Sequence, residues 1–178
     1  MSLDNEHVHG VDAMVAKLKA AQLYIREDVP EVIGTEAVKH FKQNFVDEGF
    51  DGNKWAGRKT KVRLARKILT GQGSGDHLGD SIDYKVSGTT ITIYTDKAHA
   101  QIHNEGGKIE VTDQMKKYFW AMSYQAKDAG DEEMQNQYKA MALSKEIVIK
   151  QRKFMDISEP LNNKIIAKIK RDLTNLLS

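Results

Sequence analysis

Apolar residues recur at Val11, Met14, Val15, Leu18 and Ile25, a spacing that predicts a helix with one apolar face. Pro30 predicts an end or a kink directly afterwards, because proline donates no helical bond and crowds the preceding turn. A second helical pattern opens near Glu31 with Ile33, Ala37, Val38, Phe41 and Phe45, and the two phenylalanines share a face. It ends before Gly49. The stretch FVDEGFDGNKWAGRKTK, with glycines at 49, 52 and 57, reads as a loop around Trp55. An indole among polar neighbours is expected to plug a core edge or an interface. In TKVRLARKILT, Val62, Leu64, Ala65, Ile68 and Leu69 allow a short helix with a basic wet side.

Gly71, Gly73, Gly75 and Gly79 precede a change of period from helical to two. Ile82, Tyr84 and Val86 fall on one face of a strand. Ser87-Gly88 is a two-residue turn signal, and Ile91 and Ile93 face inward on the return, which predicts a hairpin. Ala100–His103 reads as a third short extended segment and Lys108–Val111 as a fourth. Asp113 is placed to cap a helix from Gln114 to about Ala126, Gly130 interrupts, and Glu132–Ser144 is helical again. Glu146–Ile149 is a strand suited to pair with Lys108–Val111 across this insertion. Phe154 and Met155 are expected to seal the sheet against a final helix. That helix opens near Glu159, with Pro160 in its first turn and an apolar stripe from Leu161 to Leu177. The pattern predicts an α+β fold: a small, mostly antiparallel sheet, flanking N- and C-terminal helices, and a helical insertion over 113–144. Residues 1–10 read as a flexible tail and 11–178 as a single domain.

The length of 178 residues suits one modest core. Cysteine is absent, which rules out disulfides, thiolate zinc sites and cysteine catalysis. No apolar run is long enough to span a membrane, and the first residues lack the features of a secretory signal. Net charge is only +2, yet Asp51–Lys67 holds seven Lys or Arg against one acidic residue. Such a run is a solvated face or a surface for nucleic acid or an acidic partner. The low total charge argues against a dedicated nucleic-acid binder.

Candidate chemistry is sparse. His99 and His103 lack the glutamate of HExxH, and in an extended segment they lie ~13 Å apart, too far to share an ion. Loop GQGSGDHLG has neither the GK[ST] ending of a phosphate loop nor a strand-to-helix setting, and Ser74 lacks the glycine spacing of a nucleophile elbow. No catalytic residue, metal or cofactor is expected.

Several features fall in a familiar order: Phe41 and Phe45, the tryptophan of GNKWAG at 52–57, a basic Thr-containing stretch, and ILTGQGSGDHLGDSI at 68–82. The hairpin follows, then HAQIHNEGG at 99–107 and RKFM at 152–155. From Glu31 onwards the chain resembles the tailed-phage virion morphogenesis family, small tail-completion and head–tail joining proteins of Mu-like and P2-like phages and prophages. Ile68, Leu69, Thr70, Gly71, Leu78, Ser81 and Ile82 take family positions. His99 stands where tyrosine is usual, GSGD widens the spacing from Thr-Gly to Leu, and the 113–144 insertion differs from many members. The resemblance implies a non-enzymatic structural protein acting at the neck or the head-proximal end of the tail. It implies self-association, as in a ring, and contact with neck, connector or tail proteins, with DNA passing through a channel. The implied location is the virion, and the bacterial host cytoplasm during assembly. Interface or structural candidates are Trp55, Lys59, Lys61, Arg63, Arg66, Leu78, Ser81, Ile82, His103, Gly106, Gly107 and Phe154. Two other readings stand beside it: a nucleic-acid-binding or regulatory module using the basic segment 54–67, and a hydrolase using His99 or His103.

Overall fold

The computed structural model describes residues 5–57, 68–69 and 77–178. Lys59, Lys61, Arg63 and Arg66, Thr70 and Gly71, and Gly73 and Gly75 lie outside the described residues. The fold is α+β, with the strands divided among three two-stranded antiparallel ladders. Helix α1 (Asn5–Leu23) leads through a π-helical stretch (Tyr24–Asp28) into α2 (Val29–Asp47). There follow β1 (Gly49–Phe50), β2 (Asn53–Lys54), β3 (Asp83–Ser87), β4 (Thr90–Tyr94) and α3 (Ala100–Glu105). The chain continues with β5 (Gly107–Glu110), α4 (Asp113–Asp128), α5 (Glu132–Leu143), β6 (Glu146–Ile149) and α6 (Glu159–Leu177). No helix among the described residues is long and apolar enough to cross a membrane.

The chain forms two compact units. The first comprises Met1–Gln43, Gly79–Asp96 and Asp156–Ser178. Pro30 does not end its long helix. The break in α-helical bonding appears instead as the π-helical stretch, where the Val29 N–H reaches back to the Tyr24 carbonyl and widens the turn ahead of the proline. Tyr24 donates to Asp172 of α6 at 3.0 Å, and Lys17 reaches the Leu177 and Ser178 carbonyls, so one side of α1 is held against α6. Ser158 caps α6 by accepting from the Leu161 N–H, with Pro160 in the first turn as expected.

The β3–β4 hairpin pairs Tyr84 with Ile93 and Val86 with Ile91, so these side chains share the predicted face. The turn lies one residue later than its sequence signal. Ser87 pairs with Thr90, and Gly88 takes the first turn position at φ +60°, which the hand of a tight hairpin favours in glycine. Ser81 and Thr95 close the base of the hairpin, hydroxyl to hydroxyl at 2.5 Å. Gly34 of α2 lies directly beneath the Tyr84 ring. The Tyr84 hydroxyl donates to Glu31 at 2.7 Å and lies 3.2 Å from the Thr35 hydroxyl.

Glu36 of α2 is a buried carboxylate facing two lysines of α6. Lys168 donates to Oε1 at 2.8 Å and Lys164 forms an ion pair with Oε2 at 2.9 Å. These two partners, Lys168 first, hold its pKa down to about 2 against the opposing effect of burial. A depressed carboxylate stabilises the fold fully above its unfolded value of 4.5 and loses that contribution as pH falls toward 2. The lysine ends are partly solvated, so the expected loss across this window is about 1–2 kcal/mol, less than the unscreened shift implies. Urea unfolding measured across that pH range should show this slope, and Glu36→Gln should flatten it.

The second unit comprises Asn44–Leu78 and Lys97–Met155. Its first element is a hairpin hidden in what reads as a loop. Asp51 and Gly52 both take positive φ, 47° and 83°, the geometry of an Asp-Gly turn, and join β1 to β2. β5 and β6 pair as expected across the insertion, Lys108 with Val148 and Ile109 with Ile147. Helix α4 starts one residue earlier than predicted, because the Thr112 hydroxyl, not Asp113, accepts from the Met115 N–H. Asp131 caps α5 in the same way. α4 and α5 pack as a helical hairpin, and their buried Phe119 and Ala142 form a cluster with Val111, covered by Met115, Trp120, Tyr138, Met141 and Ile147.

Candidate functional site

The second unit brings five of the eight singled-out residues that are described to one place, the irregular segment Gln151–Met155. This segment belongs to no strand, so its backbone groups need partners from elsewhere. The Arg152 N–H donates to the His103 carbonyl at 2.8 Å. The Lys153 carbonyl accepts from the Trp55 indole N–H at 2.6 Å. The Phe154 N–H donates to the Asn104 side-chain oxygen at 2.8 Å, and the Phe154 carbonyl accepts from the buried Asn44 amide at 2.9 Å. Met155 donates to and accepts from Asn104, both at 3.0 Å. One asparagine thus satisfies three backbone groups, because its amide side chain carries both a donor and an acceptor.

The ring of Phe154 is 1% exposed, and Phe45 packs on it with centroids 5.0 Å apart. Trp55 meets Phe45 edge-on at 5.5 Å. The glycines that follow α3 make room for this clasp. Gly106 sits at φ +77°, and a Cβ there would lie 2.9 Å from the Gln151 backbone nitrogen. Gly107, at φ +155°, opens β5 opposite Ile149. Trp55, His103, Gly106, Gly107 and Phe154 are therefore parts of one junction. Leu78 is buried in the same unit, whereas Ser81 and the buried Ile82 stand at the base of the hairpin of the first unit.

His99 and His103 require a correction. The segment is not extended but forms the short helix α3, because Ala100-Gln101-Ile102-His103-Asn104-Glu105 has no period-two pattern and Gly106 provides its stop. The two rings meet edge-on with centroids 5.7 Å apart, so the distance argument against a shared ion does not hold. Burial first, then His99 and the Arg152 guanidinium, push the His103 pKa below the ordinary imidazole range. Glu105 is engaged by Gln101 at 3.3 Å, and no group of three or more His, Cys, Asp or Glu side chains suited to a metal occurs among the described residues. Asn44 and Asn104, the two residues that hold the segment, are missing from the sequence-derived candidates. Their signals were present: Asn104 lies inside HNEGG, and Asn44 falls on the same face of α2 as Phe41 and Phe45.

Residues 7–174 match the model of the phage virion morphogenesis family, nearly the whole of the chain. No curated protein and no solved structure matches it.

Proposed function

Starting from the chain's membership of the phage virion morphogenesis family, we propose that it completes the tail or joins head to tail at the neck of the particle. The carrying observation is the near-complete family match. The clasp supports the same reading. The motif residues Trp55, Gly106, Gly107 and Phe154 are used in packing and backbone hydrogen bonds, as in a protein whose task is to present a shape. In this reading the protein is non-enzymatic and works in copies, as a ring, against neck, connector or tail proteins. It acts in the virion after assembling in the host cytoplasm. The basic segment 54–67 faces DNA in the channel or an acidic neighbour. If it were instead the core of a nucleic-acid-binding module, neutralising Lys59, Lys61, Arg63 and Arg66 would abolish a strongly salt-dependent affinity.

The test is electron microscopy of particles made without this protein. Full heads beside unjoined tails are the expected result, and normal infectious particles would overturn the proposal.

A further inference from the structure

The apolar face predicted for α1 is not covered within the first unit. Val11, Met14, Val15, Leu18 and Ile25 are all exposed, Val11 and Met14 by more than 60%. Along the same face the surface changes from ridge to groove. Leu18, Ile25, Val29 and Ile33 of the long helix, with Thr89 and Ile91 of the hairpin, line an apolar cavity of about 600 Å³. A contiguous apolar surface of this kind is rare on a soluble monomer and marks a contact site.

We infer that this face binds a second copy of the chain, α1 against α1 in antiparallel orientation about a two-fold axis near Lys19. The face is self-complementary in shape. Its N-terminal half carries the protruding Val11, Met14 and Val15, and its C-terminal half carries the groove. A two-fold partner sets each ridge into the other's groove, as an isologous contact requires. It is also complementary in charge. Asp12 lies seven residues before Lys19 and Arg26 seven after it. Asp12 borders the ridge, whereas Arg26, in the π-helical stretch, lines the groove, and the two-fold brings Asp12 of each copy to Arg26 of the other. Arg26 makes a solvent-exposed ion pair with its neighbour Glu27, a weak contact that it can exchange for this second partner with little loss. Lys19 lies on the same side of α1 as Asp12, near the axis, where its long stem lets the ammonium group turn to solvent. α6 engages the long helix through Lys17 and Tyr24, to one side of the stripe, and the stripe itself is left exposed. The pair is a state of the free protein and does not depend on the neck role.

Analytical ultracentrifugation of the purified full chain should show a concentration-dependent dimer. Asp12→Arg and Arg26→Asp, each of which turns two attractive pairs into repulsive ones, should each raise the dissociation midpoint roughly tenfold or more. The double exchange should restore it. The chain has no cysteine, so Leu18→Cys supplies a single thiol near the axis. It should be joined into dimers by a short bismaleimide, while Glu133→Cys on α5 should not. Circular dichroism identical to the parent shows that each variant is folded. A monomer at every concentration, a dimer indifferent to the charge reversals, or an exchange that fails to restore binding would each overturn the pairing. The particle phenotype of the null tests the neck role separately.

Discussion

Replacing Phe154 by alanine should lower the stability of the second unit by about 3–5 kcal/mol, the range for removing a fully buried phenyl ring. The ring is among the most deeply buried side chains described, and Phe45 and Trp55 are layered behind it. Its loss opens a void that those rings cannot fill without giving up the indole bond to the Lys153 carbonyl. Phe154→Leu keeps most of the volume and should cost less than half as much. Both tryptophans, Trp55 and Trp120, lie in this unit, so urea titration by tryptophan fluorescence reads it selectively. A change below about 1 kcal/mol for alanine would mean that the ring does not hold the clasp together. The fall in stability should also reduce the yield of particles, because an unfolded fraction is removed by proteolysis before assembly.

The corresponding experiment in the first unit is Gly34→Ala, normally a favourable change inside a helix. A Cβ at this position would stand 2.1 Å from Tyr84 Cδ2 and 2.6 Å from its Cγ. The ring cannot swing aside freely, because its hydroxyl is engaged by Glu31 and Thr35. The overlap should therefore outweigh the ~1 kcal/mol gained in helix propensity and leave a net loss of about 2–3 kcal/mol. In a Tyr84→Ala background the obstacle is gone, and the same substitution should become neutral or stabilising. Thermal unfolding by far-ultraviolet circular dichroism measures all four corners of this cycle. An unchanged sign in the two backgrounds would show that the close approach does not restrict the helix.

Local rules made much of this fold legible. The alternation of Tyr84, Val86, Ile91 and Ile93 specified the hairpin, and Ser158 with Pro160 marked the start of α6. The strand Glu146–Ile149 could be matched to Lys108–Val111 because both are short, apolar in part and bracket a helical stretch. What escaped was decided by backbone geometry or by contacts distant in sequence. Asp51-Gly52 was a turn signal in plain sight, but two-residue strands give no alternation to accompany it. The α3 segment is too short for any period to be read, and an extended reading puts its histidines at the wrong spacing. The clasp was half visible. Its glycines and aromatics could be picked out, but the asparagines that satisfy the backbone of Gln151–Met155 act over separations of 50 and 110 residues. The spacing of the α1 stripe identifies a helix, but periodicity does not say whether the apolar side faces the same chain or another.

The buried carboxylate of Glu36 also has a consequence for the order of synthesis. Its lysine partners Lys164 and Lys168 are the last of the site to leave the ribosome. At about 5–20 residues per second they follow the glutamate by roughly ten seconds. During that interval α2 carries an acidic group without its lysine partners on the face it must later bury, and burying a lone carboxylate is costly. The first unit is therefore complete only once α6 has been made.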